Sequence, residues 1–296
     1  MPALTPQTET TADRKLLRQG RARCRELASS HYENFAIAGR FAPPDVRQDL
    51  RNIYAFSRWA DDIADEKRSG FNPLEKLNEF ERLLKAAVHG EQVDPVCYAL
   101  GETIRRRGLP LSLFEDLLAA FRQDLVKTRY ATFAELRGYT RLSADPVGRL
   151  VLGVYDIKDP ALFAFSDDIC TALQLANHWQ DVREDFLRGR IYIPREDLAR
   201  FGVSEEDIAG SNAHSGFREL LKFEVERAER FFEDGKPLLR AVKGSTAAQL
   251  ELYWRGGKAA LAAIRRIRYD VLNRSAKLQR RDKLLVAAGA LRRVVF

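Results

Sequence analysis

The sequence predicts an all-α protein that folds as a single helical domain. Apolar residues recur at helical spacing along the long segments between Gly- and Pro-containing turns. No segment shows the sustained alternation of a half-buried strand, and no Asn-Gly or Asp-Gly turn joins two such segments. A third observation, two acidic stripes on otherwise apolar helices, gives the predicted domain its organisation.

The length and composition fit one large domain. The chain has 296 residues, 45% hydrophobic and 31% charged, and no apolar run long enough to span a membrane. Residues 1–13 are polar and Thr-rich without the apolar core of a secretion signal, so we predict a disordered leader before a domain at 14–296. Three widely spaced cysteines, Cys24, Cys97 and Cys170, predict no disulfide framework and fit a reducing cytoplasm.

Gly and Pro breaks and helix caps divide the chain into predicted helices. Asp45 is the expected N-cap of the second helix. Pro146 is expected to kink its helix, or to mark the close approach of a neighbour or ligand. Pro194 begins a short helix or turn, and Ser204 opens a short capped segment at 203–209. The longer predicted helices are 14–28, 47–66, 74–88, 95–107, 111–130, 132–153, a helix from 160 through 185, 215–239 and 246–273.

The first acidic stripe lies on the helix at 47–66. Tyr54, Arg58, Asp61 and Asp65 follow one another at spacings of four, three and four, so they share one face, while the other faces are apolar. Carboxylates on such a helix are costly unless they face a wet cavity and meet a counter-charge. A divalent cation such as Mg²⁺ satisfies them, because it prefers carboxylate oxygens. The alternative for this stripe alone is a solvated acidic cluster near a helix end.

A second stripe favours the metal interpretation. Gln174, Asn177, Asp181 and Asp185 again share one face of a largely apolar helix, at spacings of three, four and four. If the two helices packed antiparallel, four carboxylates would surround one central cavity, a geometry suited to metal ions.

The basic character of the chain limits the classes of partner that we expect it to bind. The net charge is +7 and the pI is near 9.4, which indicates an anionic partner such as nucleic acid, an acidic membrane surface or a phosphorylated substrate. The basic residues are scattered and form no nucleic-acid motif, so nucleic acid is the least expected of these. The last thirty residues mix bases with an apolar end, which could contact an anionic membrane; a C-terminal helix docked on the core is the alternative.

Several common sites are absent from the sequence. No Gly-x-Gly-x-x-Gly, P-loop or Gly-x-Ser-x-Gly motif is present, so no nicotinamide cofactor is expected. The four histidines show no metal-ligand spacing, and His178 is expected to be a packed core residue. Residues 29–34, including Asn34, carry many hydrogen-bond donors, which suit either an anion or a capped helix junction.

Both acidic stripes resemble motifs of the squalene and phytoene synthases. Residues 54–58 followed by 61–65 resemble the first aspartate-rich motif of that family, and residues 174–185, continuing through 188–194, resemble the second. Residues 139–148 are similar to its kinked-helix motif. The resemblance spans roughly residues 30–275 and implies an isoprenoid synthase fold with a central cavity, a prenyl diphosphate substrate and two or three Mg²⁺ ions.

The resemblance also implies roles for individual residues. It makes Asp61, Asp65, Asp181 and Asp185 the metal ligands, supported by Asn177, with Asp61 and Asp65 essential to catalysis. Tyr139 and Tyr192 would line the cavity near the reacting carbons. The side chains expected to bind the substrate or its diphosphate are Asn34, Tyr54, Arg58, Gln174, Arg190 and, on a weaker match, Arg274.

Within the family, two departures favour one reaction. Residues 30–35 and 177–181 look most like bacterial hydroxysqualene synthases of hopanoid pathways; most other relatives carry Arg where Gln180 stands and Ser where Asn34 stands. The expected reaction is therefore ionisation of presqualene diphosphate and capture of the cation by water. The alternatives are formation of presqualene diphosphate, squalene or phytoene from prenyl diphosphates, a non-catalytic scaffold on the same fold, and charge-driven binding to a membrane or nucleic acid. The oligomeric state is left open.

Overall fold

The structure is a computed structural model of the chain, and it describes residues 10–30, 42–66 and 68–295. Within these ranges all regular structure is helical, as the sequence predicts. The helices are α1 (Thr11–Ser30), α2 (Pro44–Asp65), α3 (Pro73–Val88), α4 (Pro95–Arg107), α5 (Leu111–Asp124), α6 (Phe133–Ser143), α7 (Asp145–Val154), α8 (Pro160–Gln180), α9 (Val182–Leu187), α10 (Arg195–Arg200), α11 (Glu205–Ala209), α12 (Ser215–Gly235), α13 (Leu238–Ala241), α14 (Gly244–Arg266) and α15 (Arg280–Val295).

The N-terminal helices begin earlier than the sequence predicts. The first turn of α1 contains Asp13, the last residue of the predicted leader, and its carboxylate accepts a hydrogen bond from the Tyr98 hydroxyl on α4 (2.9 Å). The prediction that Asp45 caps α2 is wrong. Pro43 occupies the N-cap, because Pro44 has the backbone angle of a first helical residue and needs no hydrogen-bond partner for its nitrogen. Asp45 lies in the first turn and pairs with Arg107 (2.6 Å).

The predicted helix at 111–130 ends at Asp124. The residues after it leave the helix because their backbone pairs with a distant segment. The Ile191 amide donates to the Thr128 carbonyl (2.9 Å), and the Arg195 amide donates to the Tyr130 carbonyl (2.9 Å). These bonds satisfy polar groups that a helix would otherwise satisfy internally.

The helix of the second stripe is not continuous, contrary to the prediction. α8 ends at Gln180, Asp181 leaves helical geometry with φ −105° and ψ 18°, and α9 starts at Val182. The Asp185 amide still donates to the Asp181 carbonyl (2.7 Å), so the helical spacing of the two aspartates survives the break.

The last two predicted helices, 215–239 and 246–273, both end earlier than predicted, and α15 follows them. α12 ends at Gly235 and is followed, after Pro237, by the single turn of α13. α14 ends at Arg266, and two consecutive residues beyond it, Arg268 and Tyr269, have positive φ. Residues other than Gly rarely adopt this left-handed backbone geometry. It turns the chain sharply away from α14.

Two apolar clusters form the core. One is buried between α2, α3, α4, α5 and α7, and includes Phe56, Phe80 and Phe114. The other lies between α8, α12 and α14, and includes the fully buried Trp179 and Phe232. α7 packs against both α2 and α8 and thereby joins the two halves.

The predicted kink near Pro146 is confirmed as a break at Ala144 between α6 and α7. Four residues later, a Cβ on Gly148 would collide with Ser166 and Cys170 of α8. The absence of a side chain at Gly148 therefore allows α7 to approach α8 closely, and this contact sets the position of α8 relative to α2.

A buried ionic cluster ties α12 to α10. Arg227 Nη1 donates to the Asp197 carboxylate (2.7 Å) and to both oxygens of Glu224 (3.0 Å each), and Glu224 is fully buried. The guanidinium also lies over the rings of Phe133 and Phe223. Burial raises the pKa of Glu224 to about 8, against the opposing effect of Arg227.

We expect Arg227→Met to lower the free energy of unfolding by about 3–5 kcal/mol, because it leaves the buried Asp197 carboxylate without its cation. Arg265→Met is the matched control, since Arg265 makes a similar two-pronged pair with Glu229 that is about one third exposed. Arg265→Met should lower the free energy of unfolding by about 1 kcal/mol or less. Urea unfolding followed by circular dichroism measures both, and equal losses would contradict the assignment.

Stability should also depend on pH through Glu224. Its pKa rises from 4.5 to about 8 on folding, so between these values the folded chain retains a proton that the unfolded chain has lost. This contribution to stability is present below pH 4.5 and declines as the pH rises towards 8. Glu224→Gln should flatten the decline between pH 5 and 8 in thermal unfolding; an unchanged slope would show that another group is responsible.

Candidate active site

Arg190 joins the ends of the two acidic stripes. Its guanidinium lies 3.6 Å from the Asp65 carboxylate at the end of α2, and its backbone amide donates to the Asp185 carbonyl (2.8 Å) at the second stripe. α2 and α8 otherwise pack mainly against different neighbours. The two predicted motifs therefore meet at their ends, with a cation between them.

The first stripe combines carboxylates with a paired arginine. Arg58 donates to Asp61 (3.0 Å) and also pairs with Asp62. Packing around Asp61, together with the neighbouring Asp65, raises the pKa of Asp61, although 44% of its side-chain surface is exposed. Tyr54 lies one turn before Arg58, and partial burial raises the pKa of its hydroxyl.

The second stripe lies across the break between α8 and α9. Burial and the adjacent Asp185 raise the pKa of Asp181 to about 6. The Asp185 side chain is only 15% exposed, whereas Asn177 on α8 is exposed. The Gln174 amide lies 3.3 Å from the His178 ring nitrogen, so Gln174 contacts the motif but is half-buried.

Aromatic rings form the floor beneath the charged groups. Tyr139 on α6 and Tyr192 after α9 are buried, with ring centres 5.8 Å apart, and Tyr130 lies within 6 Å of both. The His178 ring stacks on Tyr192 with 3.7 Å between centres. The predicted pair Tyr139 and Tyr192 is thus brought together below Arg190.

The sequence interpretation of His178 as core packing is incomplete. His178 is buried, but its Nδ1 lies 3.9 Å from the Asp185 carboxylate, at the edge of the second motif. Its spacing of seven from Asp185, two turns along one helix, is the sequence feature that could have indicated this contact.

Asp124 is a site residue that sequence reasoning missed. It accepts a hydrogen bond from the Tyr139 hydroxyl (2.8 Å), and its second carboxyl oxygen is buried with no partner within the described part of the chain. Burial raises the pKa of Asp124, against the opposing effects of the Tyr139 hydrogen bond and of the Arg190 charge. Only its place at the end of an apolar helix distinguishes it in the sequence, and that feature is weak.

Two of the predicted substrate-binding residues, Asn34 and Arg274, are not placed at the site by the structure. Asn34 is outside the described residues. Arg274 is exposed, on the segment after α14. That segment is attached to the second stripe because the Gln180 amide donates to the Ala276 carbonyl (2.6 Å).

A cleft too narrow to hold a water molecule lies beside the charged groups. Its lining combines the second motif with the residues after α9: His178, Val182, Asp185, Arg190, Ile191, Tyr192 and Ile193. A separate cavity of about 280 Å³ lies between α5, α6 and α7 and contains none of the predicted site residues.

The donor chemistry of the two stripes fits Mg²⁺. Carboxylate and amide oxygens are the ligands that this ion prefers. Besides burial, Asp65 raises the pKa of Asp61 and Asp185 raises the pKa of Asp181, and a divalent cation would relieve both repulsions. In the residues that the structure describes, however, no three acidic, His or Cys side chains are close enough to form a metal cluster.

Two solved structures share this architecture. The squalene synthase HpnC from Alicyclobacillus acidocaldarius superposes with a TM-score of 0.81 at 43% identity, covering 86% of this chain and 95% of that one. A dehydrosqualene synthase solved with a ligand superposes with a TM-score of 0.84 at 23% identity, covering 95% and 98% of the two chains. The fold is the all-α isoprenoid synthase fold.

Sequence comparison identifies the family within this fold to which the chain belongs. The model for squalene/phytoene synthases matches residues 28–282, and the chain belongs to that family. The phytoene synthase of Arthrospira platensis is 31% identical over 279 residues, covering 88% of this chain and 89% of that protein. The hydroxysqualene synthase of Sinorhizobium fredii is 36% identical over 221 residues, covering 74% of each.

The hydrogen bond between Tyr139 and Asp124 can be tested by a double-mutant cycle. Tyr139→Phe removes the donor to a buried carboxyl and should cost about 1–3 kcal/mol of stability, whereas adding Asp124→Leu should recover part of that loss. Tyr130→Phe is the control, because the Tyr130 hydroxyl makes only a 3.3 Å bond with Gln123. Urea unfolding measures the coupling, and strictly additive losses would contradict it.

Proposed function

We propose that this protein is a hydroxysqualene synthase. It would convert presqualene diphosphate and water into hydroxysqualene and diphosphate with the help of Mg²⁺. The observation that carries the proposal is the higher identity to a hydroxysqualene synthase than to the phytoene synthases among the relatives. The still greater identity to the squalene synthase of Alicyclobacillus favours squalene-type products over phytoene.

The proposed reaction begins with cleavage of a carbon–oxygen bond. The diphosphate leaves with the bonding electron pair, the cyclopropylcarbinyl cation rearranges, and a water oxygen bonds to the resulting cation before losing a proton. Ionisation is favourable only if the charge that accumulates on the leaving group is neutralised. Arg58 and Arg190 would do this, because each lies beside an aspartate of one stripe and can exchange that partner for a phosphate oxygen.

Asp61, Asp65, Asp181 and Asp185, with Asn177 in support, would hold the Mg²⁺ ions. Bound Mg²⁺ would supply further neutralisation of the leaving diphosphate. In this arrangement the carboxylates are metal ligands rather than proton donors. The raised pKa of Asp61 and of Asp181 reflects how strongly each pair favours a nearby positive charge.

The aromatic floor suits a carbocation. Tyr139, Tyr192 and His178 present ring faces in a buried region, which can stabilise positive charge without reacting with it. The Tyr139 hydroxyl is held by Asp124, so its oxygen has a fixed orientation. We assign to this pair the positioning of the single water that captures the cation, since other water would quench it at the wrong carbon.

The rival function is condensation of two prenyl diphosphates. It is favoured by the phytoene synthases among the relatives, which match the chain over a greater length than the hydroxysqualene synthase does. Both reactions require the same leaving group and the same acidic motifs, so the site residues alone do not separate them. Substrate and product do.

Purified protein should therefore be given Mg²⁺ and one substrate at a time: presqualene, farnesyl or geranylgeranyl diphosphate. We expect a thirty-carbon alcohol from presqualene diphosphate, identified by mass spectrometry, with one oxygen from ¹⁸O-labelled water. A thirty- or forty-carbon product from farnesyl or geranylgeranyl diphosphate alone would establish the rival. Unchanged substrate in all three reactions would favour the non-catalytic scaffold.

Asp61→Asn tests the acidic motif in the same assay. It should lower kcat at least about a thousandfold and leave the unfolding transition nearly unchanged, because the lost charge acts on the leaving group. Glu79→Gln is the matched control: like Asp61, Glu79 is 44% exposed and pairs with a base three residues earlier. Equal activity of the two variants would remove Asp61 from the mechanism.

A further inference from the structure

One face of α15 packs firmly on α14. Ala290 is fully buried, and Val286 packs with Leu252 and Tyr253. A Cβ on Gly289 would meet the Arg255 side chain, so the two helices approach closely at that point. This contact fixes which face of α15 points outward.

The outward face carries an apolar stripe. Leu284 and Leu285 are each 70% exposed, Leu291 is 50% exposed, and Ala288 between them is exposed as well. Their spacing places them on one side of the helix. Three of the six large hydrophobic side chains exposed in the described part of the chain belong to this one helix. Scattered apolar residues need no explanation, but a contiguous stripe marks an interaction surface.

Positive charge is concentrated around the same stripe. Residues 274–296 contain seven basic residues and one acidic residue, a net charge of +6 within a chain of net charge +7. The acidic residue, Asp282, points inward and pairs with Arg266 (3.1 Å). Asp282 also lies 3.9 Å from Arg281, whereas Arg280 and Lys283 precede the leucines with no acidic partner among the described residues.

We propose that α15 docks on an anionic lipid membrane. The helix would lie in the plane of the interface, with Leu284, Leu285 and Leu291 between the acyl chains and the basic residues among the headgroups. A second copy of this chain fits less well, because a symmetric contact through the stripe would bring two basic clusters together. No helix within the described residues is long and apolar enough to cross a membrane.

Docking would bring the site to a lipid-soluble substrate. This consequence rests on a prenyl diphosphate substrate, as proposed above, but the docking itself does not. The Gln180–Ala276 hydrogen bond attaches the segment before α15 to the end of α8, so the docked helix and the second motif belong to one connected region.

Vesicle sedimentation with the full-length protein tests the proposal. Vesicles of phosphatidylcholine with about 30% phosphatidylglycerol should bind the protein, vesicles of phosphatidylcholine alone should bind it weakly, and rising salt should release it. Leu284→Ser/Leu285→Ser should weaken binding at least about tenfold. The matched control is Leu74→Ser/Val126→Ser, which removes two side chains of comparable exposure (49% and 83%) from other surfaces and should bind like the unaltered protein.

Two further measurements make the outcome decisive. Arg280→Gln/Arg281→Gln/Lys283→Gln should weaken binding to anionic vesicles and flatten its salt dependence, and thermal unfolding should confirm that each variant is folded. Light scattering should give the same mass for the unaltered protein and the leucine variant. A dimer that the leucine changes convert to a monomer, or equal vesicle binding by both serine variants, would overturn the proposal.

Discussion

The site depends on one electrostatic constraint: the ends of two acidic stripes from distant segments meet only because a cation, Arg190, lies between them. Within each stripe the aspartates repel, and in the first stripe Arg58 and Arg190 relieve that repulsion by pairing with Asp61 and Asp65. Arg190 contributes most to the assembly, because it contacts Asp65 by its side chain and Asp185 by its backbone. The remaining helices hold these groups in place around it.

The surroundings change from charged and partly exposed to aromatic and buried within one layer of side chains at Arg190. The groups above it are charged and partly exposed, whereas Tyr139, Tyr192 and His178 below it are buried. Asp124 is the exception, a half-buried acid whose one described partner is a tyrosine hydroxyl. A leaving anion and a reactive cation need such opposite surroundings, so their separation across a short distance suits both halves of the proposed reaction.

The sequence correctly predicted the structural features that depend on residues close together in the chain. The bounds of α3 and α4, the kink before Pro146 and the capping box at Ser204 follow from residues adjacent in sequence. The early end of α5 could not be predicted from adjacent residues, because it is caused by backbone pairing with residues more than sixty positions away. The break at Asp181 was missed since neither Gly nor Pro marks it, and Asp124 was missed since its partner, Tyr139, lies fifteen residues away.

The break at Asp181 gives the second motif two parts of unequal stiffness. Trp179 is locked into the core, so the end of α8 cannot shift without disturbing the packing. α9 is a six-residue helix whose one buried side chain is Val182. Asp185 therefore lies on a helix that is held to the core by one side chain, whereas Asp181 directly follows the anchored end of α8. A change in the spacing of the two aspartates would disturb little of the core packing.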